Sequence, residues 1–390
     1  MKICLISSVY PPRISGPSTQ TRQFAFSLKN YSIESFVVTF GDKNKIVDDD
    51  GIKVYCLNSF EQPIVGPFLQ YINAYIKVRQ ILKAEKPDIL QHHTGIDYLS
   101  VITGYLAKIM NIPSIVKFAG DLVWERIAIK HDVKYEKIFK YNIKSRIISQ
   151  IERFALNNFT MIWGISKFQE NALIKYHGIK EEKIRSLPNV IDLSKIQKKS
   201  NQVKNNKVKV LCVSRFAKWK KIENLISAVS KISIEKYDLE IIGGENPEYQ
   251  KELEQLVKEY KIEGNVKFRG KISPVDMKNE FKNADIFVLP TAHDPCPIVI
   301  IEAMSAGLPV IATRTGGIVD LITDRKEGLL IESFDINNMS EKIEELINDE
   351  RLRIEMGENG IIKSKKYDLN INIKLFAEAY KELLIKKGIK

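Results

Sequence analysis

The chain has 390 residues, of which 44% are hydrophobic and 28% charged, a balance typical of a globular protein of about two domains. No apolar run approaches the length of about 20 residues that a membrane-spanning helix needs. The four cysteines are scattered singly, which argues against a disulfide framework or a zinc site and favours a reduced, cytoplasmic protein. The net charge of +12 either results from a lysine-rich composition alone or indicates an anionic partner.

Short apolar runs alternate with helical patterns through the first half of the chain. The predicted strands cover residues 2–7, 34–40, 52–57, 88–91, 114–118 and 161–165. Helical periodicity appears between them at 19–30, 66–85 and 98–110. This alternation predicts a parallel sheet with helices on both faces.

The segment from Arg126 to Arg153 is the densest basic stretch, with eight basic and three acidic residues interleaved with aromatic ones. A basic, aromatic helix can lie on an anionic membrane surface. A solvated helix face explains the pattern as well as membrane contact does. Nucleic acid is a rival partner, but no known nucleic-acid motif accompanies the charge, so we expect none to bind.

A polar tract at 193–207 predicts the linker between two domains, over 1–192 and 208–370. The second half repeats the first, with predicted strands at 207–213, 238–242, 266–269, 286–289, 310–312 and 328–331, and helices at 222–233, 248–260 and 338–348. The pattern of strands and helices in each half therefore predicts a doubly wound α/β domain. We expect a last helix within 371–390 to join the first domain.

Arg215 and Lys220 flank the predicted strand-to-helix loop that opens the second domain. A guanidinium, an ammonium and a helix N-terminus together suit a diphosphate. Taken alone, basic loop residues are more often simply solvated.

Asp294 and Glu302 lie in the stretch DPCPIVIIEAMSAGLPVIATRTGG, which ends at Gly317. Prolines stop regular structure after Asp294, and helical periodicity runs from Ile298 to Gly307. Asp294 is therefore expected in the loop past a strand's carboxyl end, and Glu302 in the following helix. Ligands of open α/β sheets bind at that edge, although either acid alone is also typical of an ordinary turn or helix start.

Together these segments resemble glycosyltransferase family 4, whose members are retaining, sugar-nucleotide-dependent enzymes. The resemblance covers nearly the whole chain. It rests on a glycine-bearing loop at 10–17, the segments 166–168 and 187–192, the Arg-x4-Lys loop, Gly243-Gly244, Phe268-x-Gly270, the acidic pair, and Gly316-Gly317. It implies the GT-B fold, in which two Rossmann-like doubly wound domains face each other across a cleft, with the acceptor on the first domain and the nucleotide-sugar donor on the second.

The resemblance also implies roles for single residues. Arg215 and Lys220 would neutralise the donor's diphosphate, and Glu302 would accept hydrogen bonds from the ribose. Asp294 stands where the family has a glutamate that holds the transferred sugar. The remaining implied donor contacts are Gly16, whose lack of a Cβ allows close approach, Gly244, Ile272 near the base, and the backbone at Ile298 and Val299. No bound metal or other cofactor is expected.

Three positions depart from the family pattern. Asp294 is one methylene shorter than the family's glutamate, and Lys221 replaces a glycine. Many members carry a histidine in the first domain near the reacting sugar. The corresponding stretch here has none, and Asp121 is the predicted catalytic substitute, with Lys117 as a nearby candidate. The adjacent pair His92-His93 is more often structural.

The expected activity is the transfer of a hexosyl group to a hydroxyl of a glycan, glycolipid or lipid-linked acceptor, in the cytoplasm or at the cytoplasmic membrane face. The basic segment 126–153 would supply the membrane contact. A sugar-nucleotide 2-epimerase of the same fold is one alternative. A non-catalytic sugar-nucleotide-binding homologue is the other.

Overall fold

The computed structural model describes residues 1–13, 16–58, 66–127, 135–196, 206–386 and 388. The chain divides into two compact units. The first unit contains Met1–Asp192 and Leu369–Lys390, and the second contains Leu193–Asp368. The middle of the predicted linker, residues 197–205, lies outside the described residues.

The first unit is built on an eight-stranded sheet in the order β3-β4-β2-β1-β5-β6-β7-β8. Its strands are β1 (Lys2–Ser7), β2 (Glu34–Gly41), β3 (Lys45–Asp49), β4 (Ile52–Asn58), β5 (Ile89–His92), β6 (Ser114–Phe118), β7 (Met161–Gly164) and β8 (Ile184–Ser186). All neighbouring strands pair in parallel except β3 and β4, which are antiparallel.

Eight helices belong to the described part of this unit. They are α1 (Gly16–Asn30), α2 (Gly66–Glu85), α3 (Tyr98–Ile109), α4 (Leu122–Ile127), α5 (Tyr135–Ile138), α6 (Ile143–Asn158), α7 (Lys167–Lys175) and, from the end of the chain, α15 (Leu369–Lys386). Side-chain capping starts several of them, because the first amides of a helix have no partner within it. Asp97 caps α3 and Asn142 caps α6, each in a capping box.

Helix α15 packs into the core of the first unit although it follows the second unit in sequence. The ring of Phe376 lies 5.0 Å from that of Phe24 and 4.7 Å from that of Trp163, measured between centroids. The buried hydroxyl of Tyr380 donates to Gln91 at 2.6 Å. These buried contacts attach the C-terminal helix to the first sheet.

The second unit is built on a six-stranded parallel sheet in the order β11-β10-β9-β12-β13-β14. Its strands are β9 (Val208–Val213), β10 (Tyr237–Ile242), β11 (Val266–Gly270), β12 (Ile286–Leu289), β13 (Val310–Thr313) and β14 (Gly328–Ile331). Its helices are α8 (Ile222–Val229), α9 (Pro247–Glu259), α10 (Pro274–Asn283), α11 (Ile298–Ala306), α12 (Ile318–Leu321), α13 (Ile336–Asn348) and α14 (Glu350–Ser364). Strands β12, β13 and β14 are buried along their whole length, as a sheet covered on both faces requires.

The predicted strands match the structure closely, and the main differences are two strands that were missed and the end of one helix. Strand β3 was not predicted, because its sequence KIVDD is almost entirely exposed and has no alternating apolar pattern. The three-residue strand β8 is too short to give a periodic signal. Helix α8 ends at Val229 rather than at residue 233. Within the described residues, no helix is both long and apolar enough to cross a membrane.

Candidate functional site

The connections of the second sheet reverse direction between β9 and β12. The chain runs outward from β9 through β10 to β11, then returns to the other side of β9 and continues through β12, β13 and β14. The loops that follow β9 and β12 therefore diverge to opposite faces and leave a crevice at the carboxyl ends of these strands. This reversal is the switch point of the sheet. Ligands of doubly wound sheets bind at such a point.

Backbone hydrogen bonds fix the loop after β9. The amide of Ser214 donates to the carbonyl of Ile242 at 3.0 Å, and that of Phe216 to the carbonyl of Gly244 at 3.0 Å. Gly243 has a φ of 154°, and a Cβ there would lie 1.8 Å from the carbonyl oxygen of Ser214. Only glycine permits this approach, so the Gly243-Gly244 motif holds the loop that carries Arg215.

The two predicted diphosphate ligands lie on this loop in different environments. Arg215 is exposed, and its guanidinium carbon lies 5.6 Å from the centre of the Trp219 ring. Lys220 ends a single 3₁₀ turn, Lys218–Lys220, and its side chain is only 11% exposed. Lys221 follows as the N-cap residue of α8 and has a left-handed φ of 51°. Its ammonium lies 5.1 Å from the Phe334 ring centre and 3.9 Å from Glu223.

Two glycines hold the loop after β12. Gly316 has a φ of 55°, and a Cβ there would lie 2.1 Å from the carbonyl oxygen of Asp294. The amide of Gly317 donates to the same oxygen at 3.0 Å. The Cys296 amide donates to the Asp294 carboxylate at 3.3 Å. Asp294 is thereby fixed at the crevice by its backbone and its side chain.

Lys220 and Asp294 meet across the switch point. The Lys220 Nζ donates to the Asp294 Oδ2 at 2.6 Å, and both side chains are largely buried. A diphosphate that binds Lys220 must therefore compete with the carboxylate, and a sugar hydroxyl that binds Asp294 must compete with the ammonium. The pair brings together two residues that the sequence placed in one site.

Helix α11 begins at this crevice, directly after Pro297, and has no side-chain cap. The amides of Ile298 and Val299 lie in its first turn, where no partner exists within the helix and the macrodipole favours an anion. Glu302 lies one turn further and is half-buried. Burial raises the pKa of the Glu302 carboxyl to about 7.

The remaining predicted donor contacts of this unit line the ends of β10 and β11. Gly244 follows β10, and a Cβ there would meet the Lys271 side chain at 3.4 Å. Lys271 forms an ion pair with Glu245 at 2.6 Å, and Ile272 follows it directly. The structure therefore places these predicted contacts, Arg215, Lys220, Asp294 and Glu302 at one edge of one sheet. Their contacts with a ligand remain predictions.

The two predicted site residues of the first unit have different surroundings. Gly16 is exposed and is the first residue of α1, and residues 14 and 15 before it lie outside the described residues. Asp121 follows β6 and is only 1% exposed. Its carboxylate accepts from the Tyr135 hydroxyl and contacts His177 Nε2 at 2.7 Å. The carboxylate of Asp121 thus has buried protein partners, and its predicted contact with the reacting sugar stays a prediction.

The alternative first-domain candidates are buried as well. Lys117 donates to Gln20 at 2.7 Å and lies over the Trp163 ring. His92 and His93 are also buried, and His93 contacts Gln91 at 2.8 Å. These side chains are part of the packing at the ends of β5 and β6.

Asp121, Glu152 and His177 form the group of described residues that is able to hold a cation, with one ligand atom of each within 4.8 Å of the others. Burial and the neighbouring Asp121 raise the pKa of Glu152. Burial lowers the pKa of His177, but Glu152 and Asp121 outweigh it and the net shift is upward. The expectation that the protein needs no metal remains a prediction.

Sequence reasoning missed two residues of these clusters. Trp219 contacts Arg215, and an aromatic residue between two cations of the Arg-x4-Lys loop was a usable signal. His177 lies 56 residues from Asp121 in the chain, and no local pattern links the two.

Two family models together match residues 14–363. The model described as Glycosyltransferase Family 4 matches residues 14–195, and the model described as Glycosyl transferases group 1 matches residues 194–363. The chain belongs to glycosyltransferase family 4. It is a glycosyltransferase, and the resemblance found in its motifs is confirmed.

Similar proteins support the same assignment along the whole chain. An uncharacterized glycosyltransferase of Methanocaldococcus jannaschii is 26% identical over 391 residues, with 98% of this chain and 99% of the relative covered. The sucrose-phosphate synthase of Thermosynechococcus elongatus superposes with a TM-score of 0.84 at 18% identity, covering 99% of each chain. The Anabaena protein HepE in complex with UDP-glucose has a TM-score of 0.76 at 19% identity, with 98% and 100% covered. This family 4 glycosyltransferase has the GT-B fold of two Rossmann-like α/β domains.

Proposed function

We propose that the protein transfers a hexosyl group from a nucleoside-diphosphate sugar to a hydroxyl of a glycan, glycolipid or lipid-linked acceptor, with retention of anomeric configuration. The observation that supports this proposal most strongly is the contact between Lys220 and Asp294 at the switch point, beside Arg215 and the start of α11. Cations and helix amides suit a diphosphate, and the carboxylate next to them suits the hydroxyls of the attached sugar.

Each group of the site has a separate task in this proposal. Arg215, Lys220 and the amides of Ile298 and Val299 bind the diphosphate and stabilise the charge that grows on it as the glycosyl bond breaks. Asp294 accepts hydrogen bonds from the sugar, and Glu302 from the ribose. No bound metal is required, because the cations already supply positive charge at the leaving group.

The reaction forms a bond between the anomeric carbon and the acceptor oxygen and breaks the bond between that carbon and the diphosphate oxygen. The proton of the acceptor hydroxyl passes to the leaving diphosphate, whose oxygen lies on the same face of the sugar. Front-face attack of this kind retains the anomeric configuration and needs no nucleophile from the protein. The buried placement of Asp121 agrees with a mechanism that does not use it as one.

The first experiment is a thermal-shift screen with UDP, GDP and ADP and their glucose and N-acetylglucosamine derivatives, since a donor stabilises the folded state by mass action. UDP sugars come first, because HepE is a structural neighbour solved with UDP-glucose. A donor that stabilises the protein is then incubated with candidate acceptors. Transfer with an inverted product would contradict retention. Conversion of the donor to an epimer without acceptor would support the epimerase instead.

Lys218 and Lys220 give a matched pair for testing the diphosphate site. They belong to one 3₁₀ turn, but Lys218 forms an ion pair with Glu252 and lies over the Tyr249 ring, away from Asp294. Lys220→Ala should weaken donor binding about tenfold or more, as expected for the loss of a charge-assisted contact. Lys218→Ala should leave donor affinity within about twofold. Equal losses in the two variants would contradict the assignment.

The other site residues should differ in whether they act mainly in donor binding or in turnover. Arg215→Ala should lower donor affinity and turnover together. Glu302→Ala should chiefly raise the KM for the donor, and Asp294→Asn should chiefly lower kcat. The reverse pattern for the last two variants would show that the ribose and sugar roles are exchanged.

We further propose that the acceptor is presented at an anionic membrane surface, which contacts α6. This helix exposes Ile143, Ile147 and Phe154, with exposed fractions of 77%, 55% and 52%. Exposed Lys144 and Arg146 flank them, and the helix's single acid, Glu152, is buried. Residues 128–134 of the basic segment lie outside the described residues. An apolar stripe between cations is the pattern that inserts shallowly among anionic lipids.

Sedimentation with phosphatidylglycerol vesicles tests this proposal, with phosphatidylcholine vesicles as the control lipid. Binding to the anionic vesicles should fall in Ile147→Ser. It should persist in Ile234→Ser, an equally exposed isoleucine of the second unit. No binding of the unaltered protein at low salt would contradict membrane contact without affecting the donor site.

A further inference from the structure

Two aromatic residues, Phe216 and Trp219, lie between the two cations of the Arg-x4-Lys loop. Phe216 is buried in the core. The indole of Trp219 is half-buried, and the guanidinium of Arg215 lies 5.6 Å from the ring centre. That distance is within the range of a cation–π contact. Among the described residues, no carboxylate forms an ion pair with Arg215. The indole face is therefore the contact that restrains this guanidinium.

The backbone of Trp219 is anchored to the loop on the other side of the switch point. Its carbonyl oxygen accepts a hydrogen bond from the Ala292 amide at 2.7 Å, and the Thr291 hydroxyl lies 3.2 Å from it. Asp294 follows two residues after Ala292 and pairs with Lys220, the neighbour of Trp219. The backbone of Trp219 and the side chain of the adjacent Lys220 are thus both hydrogen-bonded to the loop after β12.

The two cations of the site are restrained in different ways. Lys220 is paired with the carboxylate of Asp294, which neutralises it until a ligand competes. An aromatic face attracts a guanidinium without cancelling its charge or occupying its N–H donors. The N–H groups of Arg215 are consequently available to a phosphate. Restraint before binding also reduces the side-chain entropy that is lost on binding.

We propose that Trp219 is a positioning residue of the donor site, which holds Arg215 oriented toward the terminal phosphate of a nucleoside diphosphate. This inference rests on the proposed donor site. It adds the prediction that Trp219 acts through Arg215. Trp219 therefore affects binding of the diphosphate rather than of the nucleoside.

The test is a double-mutant cycle read by calorimetric titration of UDP and UMP, or of the corresponding GDP and GMP or ADP and AMP pair if the screen selects another base. The measured quantity is the ratio of diphosphate to monophosphate affinity. Trp219→Leu should lower this ratio about two- to fivefold, the size expected for an exposed cation–π contact. Arg215→Ala should lower it further. In the Arg215→Ala background, Trp219→Leu should change the ratio by less than about 1.5-fold.

Trp219→Phe is the matched control, because it keeps an aromatic face and should retain most of the ratio. If the leucine variant does not fold, Trp219→Met replaces it, since methionine also lacks a ring. Equal losses of diphosphate and monophosphate affinity, or independent effects of the two substitutions, would overturn the inference and leave the donor site standing. If the unaltered protein binds no nucleotide of the panel, the proposed function itself is wrong.

Discussion

At the scale of single residues, Glu302 is subject to two opposing demands. A ribose needs a carboxylate that accepts hydrogen bonds, yet burial on α11 favours the protonated acid and raises the pKa from 4.5 to about 7. The ionised side chain therefore lowers the stability of the empty protein. Functional sites commonly carry such a cost, because the group is placed for a ligand rather than for the fold.

Glu302→Gln should stabilise the protein in a pH-dependent way. Because the folded pKa lies above the unfolded one, the cost is absent below pH 4.5, grows as the pH rises toward 7, and is constant above that. We expect the substitution to raise the free energy of unfolding by about 2 kcal/mol at pH 8 and by less than about 0.5 kcal/mol at pH 4.5. Urea unfolding at both pH values measures this. Equal effects at the two pH values would contradict the burial of the carboxyl.

Lys221 has a left-handed backbone, which glycine adopts without strain. Lys221→Gly should be more stable than Lys221→Ala by about 1 kcal/mol, since alanine loses the side-chain contacts and keeps the unfavourable φ of 51°. Thermal unfolding of the two variants makes the comparison. Donor affinity should change little in both, because the ammonium lies beside Phe334 and Glu223. A clear loss of donor affinity would show that Lys221 binds the diphosphate.

At the scale of secondary-structure elements, the site depends on the hydrogen bonds that connect the loops at the strand ends. Sequence patterns predicted nearly every buried strand, since short apolar runs between helices identify a covered parallel sheet. They also placed Arg215, Lys220 and Asp294 in loops past strand ends and Glu302 in the helix after β12, where the structure has them. The Lys220–Asp294 contact was not predictable, because it depends on β9 and β12 being neighbours in the sheet.

Gly243→Ala should disrupt the loop that carries Arg215. Its φ of 154° and a Cβ 1.8 Å from the Ser214 carbonyl oxygen require the backbone to move. We expect a loss of about 2–3 kcal/mol in the free energy of unfolding, together with weaker diphosphate binding. Gly264→Ala is the control, because a Cβ there meets no atom within 4 Å. Normal diphosphate affinity in Gly243→Ala would contradict the coupling of this glycine to the site.

At the scale of the whole molecule, the chain forms two units whose boundaries do not follow sequence order, because α15 returns to the first. The helix was expected to join the first domain, but periodicity alone cannot give this packing, because it depends on contacts with residues hundreds of positions earlier. The same limit applies to Asp121. Its position after a strand resembles that of a site residue, and only tertiary structure reveals the buried partners Tyr135 and His177.

Phe376→Ala should destabilise the first unit selectively. The substitution removes a buried ring from contact with Phe24 and Trp163 and should cost about 3–5 kcal/mol. Hydrogen exchange should show lost protection in β5, β6 and β7, with the second unit unchanged. Ile371→Ala, at an exposed position of the same helix, should cost less than about 0.5 kcal/mol. Equal loss of protection in both units would contradict the assignment of α15 to the first.

We propose that the crevice between β9 and β12 binds the diphosphate of a sugar nucleotide. Calorimetric titration of the unaltered protein, Lys218→Ala and Lys220→Ala with the nucleoside diphosphate selected by the thermal-shift screen tests it most directly. We predict binding to the first two proteins with similar affinity and binding to Lys220→Ala that is weaker by about tenfold or more. Undiminished binding to Lys220→Ala, or no binding of any nucleoside diphosphate to the unaltered protein, would contradict the claim.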